Sequence, residues 1–524
     1  MATEVASVDV GIESMMTRWG LLRGRGRLAT VVLLVGIVVL AGVLRMTDLA
    51  ENPPGFYADE ASVGYNAYTV LHTGRDERGL LLPIFFPAFG EHRPPVFVYS
   101  AMPFIGALGL TETAVRLTGA TYGTLTVLAV FLLASTLFGK RVGLGAAFLL
   151  AVTPWHIHYS RTGFELITFP FFFSIAITLF LVGLNRPRML AASVIVGVVT
   201  LYTYWSAWLM VPLTVAGLAL LYRDRLVAHR RSLARMGIIV GVLAIPFVVN
   251  LVTGGVGRLE HSSVIASDAG VLGAPLRVIS GYFSYFSLSF LVSEGDQGPI
   301  LRHYLPGHGQ LYGFMVVLVI VGAIRAAVRH DRAALVLLGL LLMYPLPGAL
   351  SDSSPISSRT IFGSVVLAMT AAYGAAGLAS LLTGRLRRQR WAADAVVAMA
   401  VVALALWGLG GYVRGYEEYP EVAAGFWGWQ SGPREVVGTF AEAQDEYDDL
   451  VLDWEFNSAD IFLKFYAPDG CDGCVSGGMN LLDRTRRQLF ALKPEHITAG
   501  VEYEVLGVVD YPNGQRAFVI FEVQ

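Results

Sequence analysis

Two adjacent carboxylates, Asp59-Glu60, follow the first apolar run of this chain in the stretch Gly55-Phe-Tyr-Ala-Asp-Glu-Ala-Ser-Val-Gly-Tyr65. Acids at the edge of a membrane are costly unless they are solvated, paired or functional. Other groups able to do chemistry stand at Arg93, within Glu91-His-Arg-Pro-Pro-Val-Phe-Val-Tyr99, and at Glu165, which closes Pro154-Trp-His-Ile-His-Tyr-Ser-Arg-Thr-Gly-Phe-Glu165. Arg302-His303 and Arg359 complete the set. A positioned carboxylate can take a proton from an acceptor hydroxyl as general base. Arginine neutralises a phosphate through paired hydrogen bonds. The combination suits transfer of a group from a phosphate-activated donor. Asp59, Glu60 and Glu165 are the candidate catalytic acids, and Arg93, Arg302, His303 and Arg359 the candidate phosphate-holding groups.

Each of these has a plainer reading. Asp59-Glu60 suits the first turn of a helix running from about Ala61 to Leu71, where acids meet the positive end of the helix dipole. Arg93 and Arg359 suit interfacial anchors that snorkel to headgroups. His156 and His158 fit as histidines satisfied by neighbouring polar groups. The aromatic clusters Phe169–Phe173 and Tyr202–Trp208 fit a lipid-facing belt.

The elements that must position these groups are membrane helices. Of 524 residues, 55% are hydrophobic and 15% charged, against about 25% charged in soluble domains; the mean hydropathy is +0.58. A formal net charge of −2 with dispersed arginines argues against nucleic acid as a partner. The apolar run 28–46 is too long for the core of a cleaved signal peptide, so it reads as a retained first span after a cytoplasmic N-terminus, 1–27. Runs at 115–138, 142–159, 167–184, 235–254, 310–328, 333–350, 359–382 and 391–412 also suit spans. The stretch 189–222 breaks near Tyr202-Thr-Tyr-Trp-Ser206 into two more, giving about eleven. Residues 96–110 are short, follow Pro94-Pro95 and contain Pro103, which suits an interfacial helix. With that segment excluded, Lys140-Arg141, Arg186, Arg188, Arg223 to Arg235, Arg325 to Arg332 and Arg385 to Arg390 all fall on the cytoplasmic side. The loops 47–114 and 255–309, the short loop 351–358 and the tail then face outward. The plasma membrane is the expected location. Span interiors carry almost no ionisable residues, unlike most transporters.

The tail 413–524 reads as a separate extracytoplasmic α/β domain. It has a helix around 434–446, a strand over 450–456, and strand runs 501–509 and 516–523 flanking the hairpin signal Pro512-Asn513-Gly514-Gln515. Cys471 and Cys474 are the only cysteines. Their spacing admits a local disulfide, a redox pair or half a metal site; the second half of a zinc site is missing, and an outward location favours a structural disulfide.

An outward-facing enzyme has no nucleotide to use, and the chain has no glycine-rich phosphate loop. The activated donor on that side is a sugar on a polyprenyl phosphate. At this point the ordered set Asp59-Glu60, Gly64-Tyr65, Arg93-Pro-Pro with Tyr99, Glu112-Thr-Ala-Val-Arg-Leu117, Phe138-Gly-Lys-Arg-Val-Gly-Leu144 and Pro154-Trp-His-Ile-His-Tyr-Ser-Arg161 resembles the GT-C membrane glycosyltransferases. The similarity is to the group holding protein O-mannosyltransferases and the lipid A aminoarabinose transferase, and it is strongest over about 45–220. It implies a polytopic all-α fold of about eleven spans, 28–412, with a small C-terminal α/β domain. It also implies Asp59 as the base with Glu60 alongside, Arg93 on the donor phosphate, Glu165 as a second acid and Arg359 as a late basic contact. Histidine often precedes that last arginine in the family, whereas Ser357-Ser358 stand there in this chain. Loop 255–309 is too short for the β-trefoil insertions of the O-mannosyltransferases, which disfavours a protein acceptor.

The expected reaction is an inverting displacement moving a sugar from a polyprenyl-phosphate donor to a hydroxyl of an envelope glycolipid or glycan. No cofactor is required by this chemistry, although Glu60, Glu165 and His303 could assemble a weak divalent site. The alternatives are a polymerase or ligase using lipid-diphosphate glycans, a lipid-linked sugar flippase, which would need a polar path through the spans, and a non-catalytic glycan-binding scaffold.

Overall fold

The computed structural model describes residues 25–253, 270–296, 298–352, 354–385, 390–454 and 458–524. Most of the expected N-terminal segment, 1–24, lies outside the described residues. So do part of the outer loop, 254–269, and part of an arginine loop, 386–389. Seven helices among the described residues are long and apolar enough to cross a membrane: Leu28–Met46, Glu112–Phe138, Glu165–Gly183, Leu233–Val252, Arg332–Ala349, Phe362–Leu382 and Ala392–Ala423. The other four expected spans are helical but short or broken. The 142–159 run becomes Lys140–Val152 and Pro154–Ser160, interrupted where Pro154 disfavours helix at Thr153. The 189–222 stretch becomes Pro187–Leu201 and Ala207–Leu221, breaking at Tyr202–Ser206 as expected. The fourth is Gly313–Arg329. Fifteen helical residues cover about 22 Å, less than the roughly 30 Å hydrocarbon core.

Apolar side chains stay exposed on the outer helices, among them Val32 and Val39 of the first span and Ile238, Val242 and Val248 of Leu233–Val252. That surface suits lipid. Inside, small residues let backbones approach. A Cβ on Gly322 would lie 2.1 Å from the Thr370 carbonyl, and one on Gly374 would lie 2.0 Å from that of Leu318, so the Gly313–Arg329 and Phe362–Arg385 helices pack almost backbone to backbone. Residues 96–110 form the helix Pro95–Leu108. Its 14 residues reach about 21 Å, and Phe97, Val98, Ala101 and Ile105 are buried. Like Pro187–Leu201 and Ala207–Leu221, it is shorter than the seven long apolar helices.

The last long helix continues to Ala423, so the expected boundary at 413 falls inside it and the C-terminal unit begins beyond. Its strands are β3 (Asp449–Asp453), β4 (Cys474–Gly477), β5 (Gln488–Leu492), β6 (Tyr503–Asp510) and β7 (Arg516–Val523). They form one sheet in the order β4-β3-β5-β7-β6. β3 runs parallel to β4 and β5, while β5, β7 and β6 are antiparallel neighbours. The hairpin at 512–515 closes with Gly514 at φ +79°, the conformation glycine adopts without strain. Of the expected strand 450–456, residues 455 and 456 lie outside the described set. β4, β5 and the helix Ala459–Tyr466 were not expected. Cys471 and Cys474 are disulfide-bonded in the loop that enters β4.

Candidate active site

The helix Ala58–Thr73 starts after Tyr57, which is extended at φ −75°, ψ 146°, and ends at Gly74 with φ +72°. Asp59 and Glu60 therefore occupy the first turn, about 100° apart around the axis. This angle sends them to different environments.

Glu60 turns inward and is fully buried. Its carboxylate accepts from Arg116 Nε and Nη2, each at 3.1 Å. It also accepts from the amides of Gly163 at 2.6 Å and Tyr57 at 3.2 Å. Four acceptances fill a carboxylate. The remaining Arg116 donors reach the carbonyls of Leu49 at 2.9 Å, Pro53 at 2.8 Å and Gly55 at 2.5 Å. Glu60 and Arg116 thus fold the loop that leads into the helix, and Glu60 offers no free face.

Asp59 turns outward, with 30% of its side chain exposed. Its carboxylate pairs with Arg93 Nη2, and its carbonyl accepts from Arg93 Nη1 at 3.1 Å. Arg93 ends β2 (Glu91–Arg93), the partner of β1 (Phe86–Ala88) in a short antiparallel ribbon. Its guanidinium lies 5.4 Å from the centre of the Phe89 ring.

Arg302 and the turn that leads into Glu165 reach the same helix start. Arg302 stacks its guanidinium 3.9 Å from the centre of the Tyr57 ring, and its Nη1 reaches the Trp427 carbonyl at 3.4 Å. Tyr57 also meets Phe164 edge-on at 6.1 Å, and Phe164 precedes Glu165, which is 8% exposed. The turn carrying Glu165 is held two residues earlier, at Gly163, by Glu60. His303 and Arg359 lie one step further out. The Ser357 hydroxyl donates to the His303 carbonyl at 3.3 Å and is 2.8 Å from the Tyr159 hydroxyl. Arg359 follows in the same turn, Ser357–Thr360, its carbonyl accepting from Ser206 at 2.5 Å. No three His, Cys, Asp or Glu side chains among the described residues gather as a metal-holding group. The expected Glu60, Glu165 and His303 site is not assembled, because Glu60 is saturated by Arg116 and two amides.

Several positioning residues carried no assigned role in the sequence. Arg161 donates to the carbonyls of Leu44 at 3.0 Å and Asn52 at 2.7 Å. Buried Arg45 reaches those of Ala151 at 2.9 Å and Leu150 at 3.2 Å. With Arg116 they stitch the first outer loop to the helices behind it. An arginine inside an apolar run, as at Arg45, is the signal that could have found this set. The C-terminal unit also contributes. Gln430 Oε1 accepts from the Ala58 amide at 3.1 Å, capping the helix that carries Asp59. Arg434 donates to Glu112 Oε1 through Nε at 2.9 Å and pairs with its other oxygen. Glu112 thereby raises the Arg434 guanidinium above its ordinary range. Tyr466 hydrogen-bonds the same carboxylate. Between this unit and the loop opens a cleft of about 930 Å3, walled by Glu51, Phe56, Glu112, Arg434, Tyr466 and Asp510 among others. Asp59 is not on its wall.

The sequence family described as dolichyl-phosphate-mannose-protein mannosyltransferase matches residues 92–251. No curated relative matches the chain. Among solved structures, ArnT from Cupriavidus metallidurans bound to undecaprenyl phosphate is similar at a TM-score of 0.58 and 14% identity, over 93% of this chain and 97% of that one. The oligosaccharyltransferase of Archaeoglobus fulgidus in its apo form gives a TM-score of 0.53 at 14% identity, over 84% of this chain and 64% of its own. AglB from that organism, in complex with an inhibitory peptide and a dolichol-phosphate, gives 0.54 at 13%, over 87% and 65%. At these identities the likeness to the solved structures is one of fold. The chain thus shares the fold of these multi-pass membrane proteins, and its residues 92–251 match the mannosyltransferase family.

Proposed function

We propose that the chain transfers a sugar from a polyprenyl-phosphate donor to a hydroxyl acceptor of the cell envelope, on the extracytoplasmic face of the plasma membrane. The observation that carries this reading is the outward-turned Asp59, paired with Arg93, at a helix start over which Arg302 is stacked. Asp59 takes the acceptor proton as general base. The acceptor oxygen bonds to the anomeric carbon as the carbon–oxygen bond to phosphate breaks, inverting the centre. The electron pair leaves on the polyprenyl phosphate, whose charge Arg93, Arg302 and Arg359 neutralise, so the scheme needs no metal. His303 lies beside Arg302, and Glu165 is available to orient the acceptor. Glu60 serves as the buttress of the loop rather than as a second base.

In this cycle Arg93 exchanges its Asp59 partner for the donor phosphate. That exchange frees the carboxylate when the donor is in place and ties base activation to donor occupancy. Two solved relatives in fold, ArnT and AglB, were captured with undecaprenyl phosphate and a dolichol-phosphate, which supports a lipid phosphate as the leaving group. The arginine loops on the opposite face support the orientation. A glycan or lipid acceptor agrees with the short loop 255–309.

The test is to incubate purified full-length protein with a panel of polyprenyl-phosphate sugars and follow thermal unfolding. One or two sugars should raise the midpoint. A panel that leaves it unmoved, polyprenyl phosphate included, would sink the donor assignment.

A further inference from the structure

We propose that Asp296 is a positioning residue that holds the two arginine-bearing turns, Leu301–His303 and Ser357–Thr360, in register and makes their grip on phosphate sensitive to protons through His303. The inference rests on the donor reading above and goes beyond it, because none of the reacting groups touches Asp296.

Asp296 is buried, at 6% exposure, between segments far apart in sequence. Its Oδ1 accepts from the Ser357 amide at 2.8 Å and from Gln310 Nε2 at 3.4 Å. Its Oδ2 is buried with no hydrogen-bond partner among the described residues and lies 3.8 Å from His303 Nδ1. That separation is too long for a hydrogen bond, yet a small movement of either turn would close it. One carboxylate therefore ties the amide that starts the Arg359 turn and faces the imidazole that follows Arg302. Ser357 adds a second tie, donating to the His303 carbonyl at 3.3 Å, and Tyr159 braces Ser357 at 2.8 Å.

The orphaned oxygen decides the chemistry. A buried carboxylate oxygen without a donor is costly when ionised. It is relieved either by protonation, after which it donates, or by a protonated His303. Titratable groups face Asp296 from every side: Tyr159 from the Pro154–Ser160 helix, Tyr285 beyond the Gly270–Ser284 helix, and His303 and Tyr304 from the loop. Arg302 and Arg359 stand one and two residues beyond the tied groups. Burial pushes the Asp296 carboxyl up to about 7, so the exchange falls where imidazoles ordinarily titrate. Above that pH an ionised Asp296 adds negative charge beside the phosphate and loosens the grip; below it the charge is gone.

The experiment measures the Kd of undecaprenyl phosphate for the full-length protein from pH 5.5 to 8.5, for wild type, Asp296→Asn and His303→Gln. The ligand's own ionisation is common to all three and cancels in the ratio of variant to wild type. Asp296→Asn keeps the Oδ1 acceptor and removes the titration. Wild-type binding should weaken across neutral pH by about tenfold more than binding to Asp296→Asn, the scale of an ordinary coupling. His303→Gln removes the imidazole that would offset the ionised carboxylate, so its weakening should persist but begin at a higher pH than in wild type, and it carries the test alone if Asp296→Asn does not fold. Variant profiles parallel to wild type would overturn the positioning role and leave the donor reading standing. Wild type that binds no undecaprenyl phosphate at any pH would overturn both.

Discussion

Two acid–arginine pairs, neighbours in the chain, have opposite surroundings. Glu60–Arg116 is sealed, both side chains at 0% exposure, with every oxygen and guanidinium arm engaged. Asp59–Arg93 is open, at 30% and 10%, with a carboxylate that a substrate could reach. One helical residue separates them. Under the proposed scheme the acidic pair is a buttress and a working group placed back to back rather than a catalytic dyad. A sealed ion pair contributes mainly through the cost of breaking it, whereas an open one can exchange partners during a reaction cycle.

The largest effect is expected at the sealed pair. Glu60→Gln or Arg116→Met leaves a buried charge unmatched, and the loss should be about 3–5 kcal/mol. It should appear as a large fall in the unfolding midpoint in detergent and low yield of folded protein. A variant as stable as wild type would show that the loop is held by other means.

Arg93→Ala attacks the open pair. Removing one charged hydrogen-bonding partner is worth about 1.5–3 kcal/mol, so donor affinity should fall roughly 10- to 100-fold while the unfolding midpoint barely moves. Unchanged donor affinity would remove Arg93 from the site.

Arg434→Ala tests the junction behind both pairs. Glu112 keeps Tyr466 but loses its guanidinium, at a cost of about 1–3 kcal/mol. Hydrogen exchange should quicken in the Pro433–Ala443 helix and around Glu112 without global unfolding. Unaltered exchange there would mean that the C-terminal unit docks through Phe465 and Gly64, where a Cβ would sit 2.6 Å from the ring.

Local rules made parts of this molecule readable. The helix carrying Asp59 was legible from acids before an apolar run, the break at Tyr202–Ser206 from its length, and the last hairpin from Asn513-Gly514. Asp59, Arg93, Glu165 and Arg302 are legible from residue type, and the fold pairs Arg93 with Asp59 and stacks Arg302 on Tyr57. What stayed hidden depends on contacts between distant segments. Glu60 meets Arg116 across 56 residues, and Gln430 caps Ala58 across 372. No periodicity records such pairings. Asp296 has no assigned role in the sequence, because only the packing of three distant segments buries its carboxylate. The strand β4 has only four residues and β5 is buried along its whole length, so neither shows an alternating pattern.

In the proposed scheme Asp59, and not its neighbour, takes the acceptor proton. The most direct test is Asp59→Asn in purified protein, with sugar transfer, polyprenyl-phosphate binding and thermal unfolding measured on the same preparation. Transfer should fall by about 10²–10⁴-fold, the usual worth of a general base, with donor binding and the unfolding midpoint close to wild type. Transfer within tenfold of wild type by a folded, donor-binding Asp59→Asn protein would contradict the account.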